Sequence, residues 1–407
     1  MSADGNRSGS AWSRFLRFFV GNSVMERVVI SIAALITAVI VSSAIVFVAG
    51  YLSGEAYNPI EIFMVLVNGA FGSPFALDSG QLFTEGWSPL NFSMASTLTE
   101  TTLLIFTGLG VAVAFKAGLF NIGAQGQLVL GGLAATMALL LAAPVVPEGA
   151  VGALILVPFG ILVGAIAGGL YGAIPGILKA YYEANEVITT IMLNFIATGV
   201  AFYLVSEFWK DPTLQSIKTE RIPEIGRIPA LVFPNGSQFS LIALALALVG
   251  AGLVYYILRH TSFGYDLRVS GEQPSAALYA GADAEKMIVS TMTISGALSG
   301  IAGAIWSMMV IGAWRQGVPS LGFDGITVSV LAANNPIGVV PAALLFGVLK
   351  GGSNAINFQL GVPPELVAVL RGMIILFIAM PEFFRMIGNR LGIDPEPATA
   401  TGGESNE

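Results

Sequence analysis

The sequence predicts an all-α protein that crosses a lipid bilayer many times. Of its 407 residues, 55% are hydrophobic and only 11% are charged, a balance typical of membrane proteins. Apolar runs that approach or exceed the roughly 20 residues needed to span a bilayer core recur between short polar breaks. The chain contains no cysteine, which excludes disulfides and cysteine-based metal sites.

The apolar runs predict about ten crossings. Two of them, 323–333 and 337–349, are shorter than the roughly 20 residues that a spanning helix needs. The first run is longer than the core of a signal peptide, so we expect it to remain in place as a helix. The predicted crossings are 28–52, 97–114, 122–142, 151–178, 187–205, 241–258, 288–311, 323–333, 337–349 and 366–380.

Positive charge near the ends of the runs predicts which side of the membrane each connection occupies, because cytoplasmic flanks carry the excess of lysine and arginine. The basic flank 1–27 places the N-terminus in the cytoplasm, and the transmembrane domain 28–385 returns the C-terminus to the same side. Segment 53–100, without lysine or arginine, is expected outside. The loop 207–238 is also expected outside, although its acidic residues are balanced by basic ones. The acidic tail 386–407 is expected to be disordered.

Polar amides interrupt the apolar sequence FKAGLFNIGAQGQLVLGG at residues 115–132. Asn121 and Gln125 lie at membrane depth, where an amide without a hydrogen-bond partner is costly. We therefore expect both side chains to face the bundle interior or a water-filled path. Helix packing and path lining remain equally open for the amides, whereas the surrounding glycines favour close helix packing.

Two further polar insertions have the same ambiguity. In NEVITTIMLN, Asn185 followed by Glu186 is typical of a helix N-terminus, while Asn194 lies inside the span beside Phe195. An aromatic ring such as Phe195 can stack on a flat solute or pack among helices. In ANNPIG, Asn335 joins two short apolar segments, a pattern that indicates a solute path or a tight turn.

The segment 264–282 is polar and rich in small residues, and it separates two long apolar helices. We predict that it is a cytoplasmic loop on which a separate subunit docks, with Gly264, Gly271 and Gly281 as hinges and a short helix at 274–279. The residues expected to form this surface are Arg268, Gly271, Glu272, Pro274, Ala276, Ala277, Leu278, Tyr279 and Gly281.

The chain lacks the sequence motifs of several enzyme classes. A phosphate-binding loop of the form G-x-x-x-x-G-K-[ST] is missing, so the chain cannot hydrolyse ATP by that route. Neither an H-E-x-x-H helix nor a G-x-S-x-G elbow occurs. We predict no catalytic residues, no metal, no cofactor held by this chain and no nucleic acid partner. An ion-coupled secondary transporter and a membrane scaffold stay open as alternatives.

Four motifs in order, FKAGLFNIGAQGQLVLGG, NEVITTIMLN, SGEQPSAALYAG and NNPIGVVPAALLFGVL, resemble those of ABC importer permease subunits. The resemblance is to the ribose and branched-chain amino acid permease superfamily, and within it to the nucleoside and simple-sugar branch linked to BMP-type lipoproteins. It covers residues 97–380. The family usually has glutamate where this chain has Gln125, which puts a role for charge there in doubt.

The resemblance implies a type II importer fold and several partners. These are a second permease subunit in a homo- or heterodimer, cytoplasmic ABC ATPases that hold ATP and Mg, an external solute-binding lipoprotein and the lipid of the plasma membrane. It implies that Asn121, Gln125 and Asn194 line the route of a small neutral solute, with a nucleoside expected and a ribose-like sugar as the alternative. ATP-driven closure of the ATPases would then pull on segment 271–281.

Overall fold

A computed structural model describes residues 24–54, 57–74, 84, 86–234, 236–273 and 283–379. Over these residues the chain is helical, with only isolated antiparallel bridges outside the helices and turns. Seven of the described helices are long and apolar enough to cross a membrane, and shorter apolar helices accompany them. The predicted class, an all-α polytopic membrane protein, is therefore confirmed.

Twelve α-helices account for most of the described residues. A π-helix, Val205–Trp209, extends the sixth, and a second, Trp306–Ile311, extends the ninth. In chain order the helices are α1 Val24–Ser53, α2 Pro59–Phe71, α3 Phe92–Lys116, α4 Ala124–Ala142, α5 Ala150–Tyr182, α6 Glu186–Leu204, α7 Leu241–His260, α8 Ser262–Glu272, α9 Ala284–Ile305, α10 Leu321–Leu331, α11 Pro336–Leu360 and α12 Pro364–Ala379.

The chain divides into two compact units. Of the described residues, 24–54 and 57–63 with 360–379 form one, in which α1 and α12 pack against each other. Residues 64–359 form the other, with α3 at its centre. Every residue of α3 from Thr101 to Ala114 is buried, because α7, α9 and α10 all pack against it. A helix that is apolar on all sides is expected in such a central position.

The tightest packing joins α5 to α9 through glycines. Five glycines of α5 recur at every fourth residue and therefore lie on one helix face. Across from them, Gly168 lies so close to α9 that an added Cβ atom would meet Gly300 Cα at 2.6 Å. Small residues at this spacing allow helix backbones to touch, which is how membrane helices gain packing energy. The five glycines are Gly160, Gly164, Gly168, Gly172 and Gly176.

One expectation about the crossings was wrong. The run 337–349 is not abbreviated, since α11 continues to Leu360. Lys350 and the glycines after it lower the local hydropathy, which made the run appear to end there. The helix continues because Lys350 is ion-paired and Gly352 packs on the Leu66 backbone. The segment 53–100, whose external position stays a prediction, contains the short apolar helix α2. The run 323–333 forms a short apolar helix, α10, as its length predicted.

The hinge interpretation of Gly264 and Gly271 was wrong as well. Both lie inside α8 with ordinary helical backbone, and Thr261 caps this helix by accepting a hydrogen bond from Gly264 N at 3.1 Å. Each glycine is needed for close approach instead, Gly264 to Leu258 and Gly271 to Lys116. The third expected hinge, Gly281, lies outside the described residues, as do 1–23 and the acidic tail.

The predicted start of the span after Asn185 is confirmed. Asn185 Oδ1 accepts hydrogen bonds from Val187 N at 3.0 Å and Ile188 N at 3.1 Å, so it satisfies two of the free N–H groups at the beginning of α6. Glu186 Oε2 lies 2.9 Å from Lys179 Nζ, which ties the start of α6 to the end of α5.

Candidate functional site

The connection between α3 and α4 is a non-helical segment, 117–123, whose buried residue Asn121 is held by polar side chains. Asn121 is completely buried, and its Nδ2 donates to Gln127 Oε1 at 2.9 Å and to Ser295 Oγ at 2.7 Å. Its Oδ1 accepts from Gly123 N at 3.0 Å. These bonds replace the helical ones that the break removes, which is how irregular backbone is tolerated at membrane depth.

Asn194 fastens the same break to α6. Its Oδ1 accepts a hydrogen bond from Gly126 N at 2.8 Å, and its Nδ2 donates to Ile122 O at 2.9 Å. The first contact satisfies one of the free N–H groups at the start of α4. Replacing this side chain with an apolar one would leave two backbone groups without partners.

Gln125 joins the start of α4 to the start of α10. Its Nε2 donates to Pro319 O at 2.9 Å, and its Oε1 accepts from Gly322 N at 2.9 Å. An ionised glutamate, the residue usual in resembling permeases, has no donor for Pro319 O. The glutamine therefore matches this particular pair of backbone groups, one acceptor and one donor.

The structure thus brings three predicted path residues, Asn121, Gln125 and Asn194, into what we call the amide network. Each is at most 8% exposed. Their hydrogen bonds favour the packing role, so a solute route along them, still a prediction, requires some of these bonds to open. The network comprises Asn121, Gln125, Gln127, Asn194 and Ser295.

The other two predicted path residues lie apart from the amide network. Phe195 is 71% exposed and projects away from its buried neighbour Asn194. Asn335 accepts a hydrogen bond from Ile337 N at 3.0 Å and so caps α11. Ala333 and Asn334 before it have positive φ angles of 50° and 56°, which favours the tight-turn alternative for this segment.

The predicted docking segment begins against the α3–α4 connection. A Cβ atom added at Gly271 would lie 2.7 Å from Lys116 O, and one added at Gly118 would lie 3.1 Å from Gly271 O. Arg268 Nε donates to Gly264 O at 3.2 Å, and Glu272 is exposed. The remaining predicted docking residues fall outside the described part of the chain: Pro274, Ala276, Ala277, Leu278, Tyr279 and Gly281.

Asp283 anchors the far end of that segment. Its Oδ1 accepts from Lys286 N at 3.1 Å, and its Oδ2 lies 2.7 Å from Lys286 Nζ. The bonds to the Lys286 side chain, followed by the bond to the Lys286 backbone, hold the pKa of Asp283 below its usual range. The described residues that flank 274–282 are therefore the end of α8 on one side and the N-terminal cap of α9 on the other.

Sequence reasoning missed a cluster of charges inside the helical bundle. Lys350 Nζ lies 2.9 Å from Glu100 Oε2 and 3.0 Å from Asp324 Oδ2. We call these three residues the ion triad; it connects α3, α10 and α11. Each residue interrupts an apolar helix, which was a usable signal, but nothing in the sequence showed that residues so far apart along the chain meet.

The ion triad lies away from the ends of the long helices α3 and α11. Glu100 is the ninth residue of α3, about 12 Å from the first residue of a helix about 37 Å long. Lys350 is about 15 Å from the end of α11 at Leu360. Both positions fall within a hydrocarbon core about 30 Å thick. Charged residues at such depth are rare and generally functional.

Comparisons with known proteins agree on one kind of relative. A family model described as branched-chain amino acid transport system / permease component matches residues 93–379. The guanosine ABC transporter permease protein NupP of Bacillus subtilis is 34% identical over 343 residues, covering 82% of this chain and 96% of the relative.

Two further relatives match over similar lengths. The nucleoside ABC transporter permease protein NupB of Lactococcus lactis is 33% identical, over 77% of this chain and 86% of its own length. The glucose ABC transporter permease protein TsgB13 of Haloferax volcanii is 30% identical, over 80% and 87%. No solved structure matches the chain at a significant level.

Proposed function

Because the chain belongs to the family described as branched-chain amino acid transport system / permease component, we propose that it is the membrane-spanning subunit of an ABC importer for nucleosides. The observation that carries the proposal is the 34% identity to a guanosine permease, which extends over 96% of that relative. We assign the substrate class of this relative to the chain because the match covers nearly all of the relative, including its transmembrane helices. A sugar importer is the second candidate, since a glucose permease is 30% identical.

In this proposal the chain hydrolyses no ATP and couples to a partner that does. The second permease subunit and the external solute-binding lipoprotein complete the importer, with both termini of this chain on the cytoplasmic side. ATP and Mg belong to the ATPase subunits. The segment after α8 is the docking site for the ATPase, because α8 rests directly on the α3–α4 connection and transmits displacement to it.

A continuous series of contacts leads from the end of α8 into the bundle. Gly271 touches the backbone at Lys116, and the segment after Lys116 carries Asn121 of the amide network. From the start of α4, Gln125 bonds to Gly322 at the start of α10. A shift of α8 would therefore displace the α3–α4 connection and α10. We expect these elements to move during gating.

The first experiment measures uptake in the host organism. Deleting the gene is expected to abolish ATP-dependent uptake of radiolabelled guanosine, and the wild-type gene should restore it. Glucose uptake should be unchanged in both strains. Loss of glucose uptake with normal guanosine uptake would favour the sugar importer instead. Gradient-driven uptake by the isolated chain in liposomes, without ATP, would contradict the ABC assignment altogether.

The coupling contact is tested by Gly271→Leu. A leucine side chain there must displace α8 from Lys116 and Ala117, since backbone atoms already lie at contact distance from Gly271. We expect ATP hydrolysis by the assembled complex to continue while nucleoside uptake falls at least about tenfold, a loss that corresponds to about 1.4 kcal/mol. Uptake and hydrolysis are measured in the same proteoliposomes.

The matched control is Gly252→Leu in α7, where an added side chain meets open space within 4 Å. This variant should transport as the wild type does. Normal uptake by an assembled Gly271→Leu complex would refute the transmission of force through this contact.

A further inference from the structure

We propose that the ion triad of Glu100, Asp324 and Lys350 contacts the transported solute and binds its hydroxyl groups. This inference rests on the proposed function in that it takes the chain to be a solute importer. It goes further because it assigns the contact to residues that form no part of the amide network.

The exposure of the ion triad is the first argument. Side-chain exposure is 14% for Lys350, 27% for Glu100 and 24% for Asp324, so the cluster opens to its surroundings. At this depth in a bilayer, lipid would meet the charged groups at a cost of several kcal/mol. The open side of the cluster therefore faces water or protein, and a solute path provides water at that depth.

Polar residues continue from the ion triad toward one end of the bundle. On α3, Ser93 and Ser96 lie seven and four positions before Glu100, on the same helix face, and Ser96 is exposed. On α11, Asn354 follows Lys350 by four positions and is also exposed. Between these two faces the helices are in contact, with Thr97 Oγ1 2.5 Å from a Cβ atom added at Gly351.

Ser96 and Asn354 share these faces with exposed aromatic rings one turn away, Phe92 at 58% and Phe358 at 89% exposure. Serine and asparagine side chains on the exposed faces of α3 and α11 are the lining expected of an aqueous opening. The opening runs from the N-terminal end of α3 to the ion triad. In the proposed orientation that end of α3 is external, so an incoming solute reaches the triad from outside.

The chemistry of the ion triad selects a polyhydroxylated, uncharged ligand. Lys350 Nζ contacts Glu100 Oε2 and Asp324 Oδ2, and each carboxylate has a second oxygen that can accept a hydrogen bond. Paired hydroxyls, such as those of a ribose, are donors that suit two adjacent carboxylates. Two carboxylates and one ammonium group also leave a formal charge that repels anions.

The experiment uses the absence of cysteine from the chain. Ser96→Cys introduces a unique thiol, in this chain, beside the ion triad, and Val249→Cys places one on the 65% exposed apolar surface of α7. The purified permease–ATPase complex in nanodiscs, without the binding protein, is treated with a charged methanethiosulfonate reagent. We expect Ser96→Cys to react at least about tenfold faster than Val249→Cys, because the reagent enters water and not lipid.

Solute protection then tests the contact itself. The nucleoside that supports uptake should slow labelling of Ser96→Cys, and its 2′,3′-dideoxy analogue should do so only at concentrations about tenfold higher or more, as expected when hydrogen bonds to a charged group are lost. Adding Asp324→Asn to Ser96→Cys should leave labelling fast and weaken protection by the nucleoside to a similar degree.

Each contrary result bears on a different statement. Equal, slow labelling of Ser96→Cys and Val249→Cys overturns the aqueous opening. Fast labelling with no protection, or equal protection by the dideoxy analogue, overturns the hydroxyl contact while leaving the importer assignment intact. Uptake is measured in the Ser96→Cys strain before labelling, so failure of the proposed function is seen separately, as absence of transport.

Discussion

Lys350→Met should destabilise the protein by about 1–3 kcal/mol, the range expected when partly buried polar groups lose their partner. The methionine leaves Glu100 and Asp324 facing each other without the ammonium group that lies 2.9 Å and 3.0 Å from their oxygens. Thermal unfolding of the detergent-purified protein measures the loss.

Two controls separate charge from packing in this prediction. Lys286→Met removes a lysine whose side chain is 77% exposed in its ion pair with Asp283, and it should change stability little. The triple variant Lys350→Met, Glu100→Gln, Asp324→Asn removes all the charges together and should recover much of the lost stability. If the triple variant is as unstable as Lys350→Met alone, the loss comes from packing and not from uncompensated charge.

Gly168→Ala should cost about 3 kcal/mol, at the upper end of the usual range for overpacking. The added methyl group would meet Gly296 O, and it would lie 2.6 Å from Gly300 Cα and 2.9 Å from Gly300 N. These are backbone atoms of α9, which cannot rotate aside as a side chain does. The two helices must separate along the interface, so packing around neighbouring glycines is lost as well.

The comparison is with Gly252→Ala, in the middle of α7. No atom lies within 4 Å of a Cβ atom added there, and alanine is favoured over glycine in a helix interior by roughly 0.5–1 kcal/mol. Stability of this variant should therefore stay level or rise slightly. Similar unfolding temperatures for Gly168→Ala and Gly252→Ala would show that α5 and α9 are not in backbone contact.

Local patterns were sufficient for much of the fold. Each long apolar run became a helix, and the short run was recognised as α10 because hydropathy is a property of neighbouring residues. The cap at Asn185 was also local, since it bonds to residues two and three positions ahead.

Errors arose where a local break had a distant partner. Lys350 and Gly352 seemed to end a span, but an ion pair with α3 and close packing on Leu66 allow α11 to continue. Gly264 and Gly271 were interpreted as hinges, although glycine also serves where two backbones touch. A glycine in the sequence is consistent with either role, a hinge or a close backbone contact.

At the candidate site, too, the sequence indicated individual residues but not their distant partners. Motif order indicated that Asn121, Gln125 and Asn194 matter, but their partners are a serine in α9, backbone groups near α10 and the start of α4. The ion triad was missed entirely, because Glu100, Asp324 and Lys350 are far apart in sequence.

By itself, then, the amino-acid sequence determined the membrane class, the approximate places of the helices and the kind of transporter. Only the tertiary structure decided which polar groups hold helices together through hydrogen bonds and which remain partly exposed. The physical reason is that burial in lipid depends on a sum over adjacent side chains, whereas a hydrogen bond or an ion pair depends on which distant helix lies within about 3 Å.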